Sequence, residues 1–227
     1  MTGQVLAVLL LAAVGQVGPS GGGMPSGPLA ARVGEWVTYR MEGGGEGPAS
    51  FWRMAVVGEE RDNRGREAVW IEMELGQQRE LAAPLAQWRL LVARQAGLSA
   101  EGVTRLQVAL GFDRPREVSP EALPAFFGAA VPLPPASAPS AAVKVREGAP
   151  VPLMTPAGTL SARPVELSLG SRVVRRLWLS AAVPVLGLAR LEVSGSGPLM
   201  EVEAFGTDAT PRMAPPAPEA PQIRLER

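Results

Sequence analysis

Between residues 143 and 205 the chain alternates apolar and polar residues in short runs, each cut off by a turn-forming group, and this confines the region to antiparallel strands. Val143 and Val145 alternate with Lys144 and Arg146, and a second run over 151–154 ends in Thr155-Pro156-Ala157-Gly158-Thr159. The run 160–169 sets Val165, Leu167 and Leu169 against Glu166 and Ser168, and Gly170-Ser171 supplies the two-residue turn of a hairpin. The next run, 172–180, carries Val173, Arg175, Leu177 and Leu179 on one face and Val174, Arg176 and Trp178 on the other. Val183-Pro184-Val185-Leu186-Gly187 separates it from a strand over 189–193; a last strand over 199–205 groups Met200, Val202 and Ala204 and turns Glu201 and Glu203 outward.

The first half carries the same period. Residues 34–41 place Trp36, Thr38 and Arg40 on one face and Val37, Tyr39 and Met41 on the other. The glycine-rich run 43–47 lacks the Lys-Ser/Thr ending of a phosphate loop and reads as a hairpin turn. Residues 50–57 return with Trp52, Met54 and Val56 on one side and turn at Asp62-Asn63-Arg64-Gly65. Residues 67–75 then set Val69, Ile71, Met73 and Leu75 opposite Trp70, Glu72 and Glu74, completing a three-stranded meander.

From 77 to 100 two readings compete. Leu81, Leu85, Trp88, Leu91 and Val92 recur at helical intervals and predict a helix over 78–93, kinked or divided by Pro84; the alternation inside it supports a strand over 87–92 instead. A strand over 103–112 follows. Residues 113–142 hold seven prolines, which neither a central strand nor a long helix accommodates. Ser119-Pro120 fits a helix start with Ser119 as the N-cap, so a brief turn through Phe127 is expected within a loop that is otherwise a disordered connection or a lid.

Composition narrows the function. Hydrophobic residues at 46% suffice for a core, and 26 Gly with 23 Pro suit a turn-rich β domain. One lysine and 21 arginines against 22 acids give a formal net charge of +0, without the basic excess of a nucleic-acid binder. The absence of Cys and His from the sequence removes Cys/His zinc sites, thiol chemistry and Ser-His or Cys-His nucleophile systems. No cofactor, metal or catalytic residue is therefore expected, and the chain reads as a non-enzyme.

Residues 5–14 are an unbroken apolar run followed by Gly, Pro and Ser over 18–28. The run is too short to span a bilayer and matches the core of a secretory signal, with Ala13 and Gly15 at the −3 and −1 positions; a buried first strand or helix is the alternative. The expected organisation is a signal peptide over 1–15, a flexible lead-in over 16–32, a single β-rich domain over 33–206 containing the Pro-rich loop 113–142, and a disordered Pro/Ala-rich tail over 207–227. The mature chain would be periplasmic or secreted, without a transmembrane anchor.

The opening Val33-Gly34-Glu35-Trp36-Val37-Thr38-Tyr39, the Thr155-Pro156-Ala157-Gly158-Thr159-Leu160 turn, Leu177-Trp178-Leu179-Ser180, Val183-Pro184-Val185-Leu186-Gly187-Leu188 and Met200-Glu201-Val202-Glu203-Ala204-Phe205-Gly206 together resemble a group of exported bacterial proteins. That group is distantly similar to the periplasmic lipoprotein carriers of the LolA/LolB type. The resemblance covers 33–205 with one weak central gap and rests on structural turns. It implies a curved antiparallel sheet or incomplete β-barrel curled around one or two helices, with an apolar interior that in the carriers receives acyl chains. No residue-level motif carries the carriers' lipid contacts over to this chain.

Four residues are candidates to line such a cavity: Trp36, Trp52, Met54 and Trp178. Ordinary core or sheet-face packing is the favoured account of them, since half-buried strands favour aromatics, and the cavity case is weakest for Trp70, which shares a face with Glu72 and Glu74. The pairs Glu72/Glu74 and Glu201/Glu203 each put two acids on one strand face, about 7 Å apart along the strand. That lies within the roughly 5–10 Å a glycosidase needs, but a solvated sheet face has the same spacing and is the reading taken. Arg172, Arg175 and Arg176 lie on both faces of their run and read as surface residues. The function expected is a non-enzymatic exported envelope protein binding a lipid or other apolar ligand. The alternative is an interaction or scaffold module with an envelope protein partner, and a carboxylate-based hydrolase comes third.

Overall fold

The computed structural model describes residues 28–42, 48–98, 101–123, 143–194, 197–217, 220 and 222–223. The expected signal peptide, most of the lead-in, the Gly43–Gly47 turn, the second part of the Pro-rich loop and the end of the tail lie outside them. Alternation dominates what is described. The strands are β1 (Trp36–Met41), β2 (Ser50–Arg61), β3 (Glu67–Gly76), β4 (Ala86–Ala93), β5 (Val103–Leu110), β6 (Arg116–Glu117), β7 (Val143–Glu147), β8 (Val151–Thr155), β9 (Gly158–Leu169), β10 (Arg172–Leu179), β11 (Leu188–Val193) and β12 (Gly197–Gly206).

They form one 12-stranded sheet in the order β6-β5-β4-β3-β2-β1-β12-β11-β10-β9-β7, with β8 also on β9. Every strand pairing is antiparallel. The sheet is thus two meanders, β1–β6 and β7–β12, and the first and last strands meet at its centre, with Val37 opposite Phe205 and Met41 opposite Met200. β6 and β7 are separate edges, so the sheet is not closed into a barrel. β9 pairs with β7 through its second half and with β8 through its first, and Gly148-Ala149-Pro150 makes the step between them. The β8–β9 hairpin reaches back over the sheet, where Arg190 donates to the Met154 carbonyl at 2.6 Å.

Odd and even positions have different fates. Val37, Tyr39 and Met41, then Trp52, Met54 and Val56, then Val69, Ile71 and Met73 all turn inward with at most 4% of their surface exposed. The apolar cluster they begin runs on through Leu106, Leu123, Leu160, Leu177 and Leu191. The Tyr39 ring tilts against Trp52, and burial pushes its hydroxyl far above the usual tyrosine value.

The helix expected over 78–93 is not formed: residues 86–93 are β4, paired to β3 and β5. The helical spacing was produced by burial on both sides of this strand. Ala86, Trp88, Leu90 and Val92 face the core, while Leu91 and Ala93 are buried on the other face. Pro84 removes a helical hydrogen bond, and the chain uses 77–85 as a turn instead, with Leu81 at a φ of 51° and Leu85 N donating to the Leu75 carbonyl at 2.7 Å. Among the described residues no complete helix is present; a turn begins at Ser119, with Leu123 N donating to the Ser119 carbonyl at 3.2 Å, and its expected continuation through Phe127 lies outside the described residues. Nor is any described helix long and apolar enough to cross a membrane.

The turns follow their residues. Gly170 (φ 62°) closes the β9–β10 hairpin between paired Leu169 and Arg172. The Asp62 carboxylate accepts Arg64 N and Arg66 N at 2.9 and 2.8 Å across the β2–β3 turn. Gly34 has a φ of 94°, and a Cβ there would lie 2.5 Å from the Thr207 carbonyl oxygen. Gly34→Ala is therefore expected to destabilise the protein by about 1–3 kcal/mol through backbone strain and displacement of residue 207, read as a lowered midpoint in urea unfolding.

Candidate functional site

The outward face of the sheet is not the solvated surface that its alternating charges suggest. Glu72 and Glu74, on the face of β3 opposite the core, are 1% and 2% exposed. Arg53 of β2 donates to Glu74 at 3.2 Å, Gln87 of β4 donates to it at 3.1 Å, and Arg89 of β4 binds Glu72 through two guanidinium nitrogens. The cover is the chain's own tail: residues 207–217, expected to be disordered, cross this face. Trp36 Nε1 donates to Asp208 at 2.7 Å, Ala209 N donates to the Gly34 carbonyl at 2.8 Å, and Arg212 N donates to Glu72 at 2.8 Å. Further on, Ile223 forms a parallel bridge to Val118 beside β6.

Electrostatics on this face follow from burial. Desolvation, followed by the nearby Arg212 charge, pulls the Arg53 guanidinium below its usual value, and Glu74 opposes the shift. Arg53 also stacks over Trp36, 5.5 Å from the ring centre. Asp208 is held below the ordinary carboxylate range, first by the Trp36 hydrogen bond. With every oxygen of Glu72 and Glu74 accepting from arginine, amide or backbone donors, this pair has the arrangement of a structural network rather than of an acid and base facing a substrate. Glu201 is paired to Arg190 and Glu203 to Arg79. Among the described residues no group of three potential ligands could hold a metal ion.

The four predicted cavity residues are not brought together. Trp52 and Met54 pack in the core, 4% and 1% exposed. Trp36 and Trp178 lie on the opposite face: Trp36 walls a polar cleft of 330 Å³ with Arg53, Arg79 and Asp208, and Trp178 lies beside Arg176 with its indole nitrogen buried and without a hydrogen-bond partner among the described residues.

A more apolar cleft, of 610 Å³, opens at the end of the sheet where the chain enters β1 and leaves β12. Leu29, Ala31 and Leu98 form one wall; Val183, Val185 and Phe205 form the other. Leu29 N donates to the Arg94 carbonyl at 2.7 Å, and Arg94 in turn donates to the Ala31 carbonyl at 2.8 Å, so the first wall is tied to the end of β4. The second wall is a tight turn closed by Ser180 N to the Gly187 carbonyl at 2.7 Å. Within it Val185 has a φ of 67°, a left-handed conformation that costs a β-branched residue about 1–3 kcal/mol. Arg32 and Glu35 are the charged residues of its lining. The sequence marked the Val183–Gly187 turn as a break; its role as a cleft wall depends on residues 28–31, which carry no alternating pattern.

No protein-family model matches the chain, and no curated protein matches it. Among solved structures it is similar to a protein from Bacteroides fragilis assigned as exported, with a YmcC-like fold, at 10% identity over 80% of this chain and 99% of that one, TM-score 0.37. It is also similar to MucB in a complex with MucA(peri), at 11% identity over 98% of this chain and 61% of that one, TM-score 0.41. A third is a protein from Parabacteroides distasonis assigned as a lipoprotein, at 11% identity over 78% and 97%, TM-score 0.35. The chain thus spans about three fifths of MucB, and none of these three is a LolA or LolB carrier.

Two outcomes are expected at the charged face. Glu74→Leu strands the buried Arg53 and should cost about 3–5 kcal/mol in chemical denaturation, much of it recovered in Arg53→Met/Glu74→Leu. Because the folded Asp208 value is lowered, its contribution is present above the ordinary carboxylate value of about 4 and is lost as pH falls through the folded value. The Trp36 emission, taken as the difference between wild type and Trp36→Phe, should shift in that acid range and stay flat in Asp208→Asn.

Proposed function

We propose that this chain is an exported, non-enzymatic envelope protein that binds the apolar chain of a lipid in the cleft between residues 28–31 and the 181–187 turn. The observation that carries the reading is the cleft wall itself: an apolar-lined opening of 610 Å³ in which Val185 is held at a positive φ. A volume in the range of small-molecule sites, mostly apolar lining residues and two charged ones are the features that retain an amphipathic ligand. Backbone strain is kept where surrounding structure enforces it, and function is one reason for keeping it. Each methylene moved from water into such walls contributes about 0.8 kcal/mol, so an acyl chain gains affinity with length, while Arg32 and Glu35 meet its polar end.

Export is supported by the apolar run at 5–14 and the small residues Ala13 and Gly15 that follow the signal-peptide pattern. A non-enzymatic role is supported by a sequence without His or Cys and by carboxylates that are already hydrogen-bonded. The carrier-like resemblance of the turns adds the expectation of an acyl ligand, although the site here is an end cleft and not the sheet interior.

Protein purified from its own envelope is expected to release a lipid on organic extraction, and its intact mass to begin at Gln16. A fluorescent long-chain fatty acid should bind the wild type and be displaced by that lipid. Ala182→Trp, at an exposed position of the cleft wall, should weaken binding at least tenfold, about 1.4 kcal/mol, without lowering the melting temperature. Fatty-acid binding unchanged by this variant would sink the assignment.

A further inference from the structure

The outward face of β2, β3 and β4 holds a second built site, independent of the apolar cleft. Glu72 binds two successive backbone N–H groups, Arg212 N at 2.8 Å and Met213 N at 3.3 Å. Arg89, bound to the same carboxylate, donates to the Met213 carbonyl. Glu74 accepts the Arg212 guanidinium at 3.2 Å, and Met213 is only 3% exposed. Backbone, charge and shape are thus all read at one dipeptide, an arginine followed by an apolar residue at a bend in the chain. Charge-assisted hydrogen bonds of this kind are the stronger class, and here they are made on a buried floor.

The groove is wider than the segment lying in it. Clefts of 330 and 600 Å³ adjoin the tail, and Arg212 lines both. At the rim of the larger one stands Phe112, 96% exposed, near Pro84, Asp113 and Pro115. An exposed aromatic among prolines and carboxylates gives a longer, basic and apolar segment contacts that residues 207–217 do not use.

We propose that this groove is a peptide-binding site, that residues 207–217 occupy it in cis as a built-in ligand, and that its partner is a segment of another protein bearing arginine followed by an apolar residue. The tail holds the site as an intramolecular competitor at an effective concentration on the order of millimolar. A partner therefore has to outcompete it, and loosening the tail raises apparent affinity.

The test uses the full chain and a fluorescent peptide with the sequence of residues 207–217. In Arg212→Ala/Met213→Ala the tail loses its guanidinium and its buried side chain, which loosens its hold on the groove, while Glu72, Glu74 and Arg89 are intact. The peptide is expected to bind this variant at least tenfold more tightly than wild type, and a peptide carrying the same two alanine substitutions should bind neither protein. Since the second comparison changes only the peptide, it stands even if the variant's stability drops. Equal binding of the two peptides, equal affinity of variant and wild type, or no binding to a variant that melts like wild type would overturn the proposal. A wild-type dimer dispersed by the peptide would overturn the assignment to a different protein and give the groove to a second copy.

Discussion

The pairing of β1 with β12 is the contact on which the rest of the molecule depends. It joins residues near the two ends of the described chain at the middle of the sheet, so that neither meander keeps an open edge there. Contacts between segments so far apart in sequence are expensive in loop-closure entropy and form only when enough apolar surface is buried with them. Met41, Met200, Tyr39 and Val202 supply that surface across the seam. The seam also sets the candidate sites: residues 28–35 enter it and residues 207–213 leave it, and the apolar cleft and the covered carboxylates both adjoin these two segments.

Covering the outward face has a physical cost, and the network shows how it is met. A carboxylate removed from water needs several strong donors, and Glu72 and Glu74 obtain them from Arg53, Gln87, Arg89 and the tail. Buried ion pairs of this type contribute little net stability compared with apolar packing, but they penalise any arrangement that strands a charge. The tail's position is therefore specified more sharply than its few contacts suggest: only a segment presenting N–H groups and a cation satisfies that floor. Farther along the sheet the ladder Glu166–Arg176–Glu192–Arg190–Glu201 is partly exposed and pairs across strands in the ordinary way.

Much of the fold was legible. Alternation identified β1, β2, β3, β5, β9, β10, β11 and β12, because one face of each is apolar and a period of two is unambiguous there. It faltered at β4, where Leu91 is buried on the second face and the added apolar residue imitates a helical repeat. Trp36 and Trp52 were grouped as aromatics, yet one residue's difference in parity sends them to opposite faces. The end cleft left almost no trace, since Leu29, Ala31 and Val185 belong to irregular segments whose proximity is a product of the seam.

Sequence alone determined that this is an antiparallel β protein, which residues close the β2–β3, β8–β9 and β9–β10 hairpins, and that the sequence holds no histidine or cysteine; all three depend on local period, turn-forming residues or composition. The tertiary structure decided which strands neighbour one another, that the two meanders meet through β1 and β12, and that Glu72 and Glu74 are buried rather than solvated. A carboxylate on a strand has the same local pattern whether water or an arginine-bearing tail lies above it. What covers it depends on where residue 212 arrives, and that depends on contacts about 140 residues away in sequence.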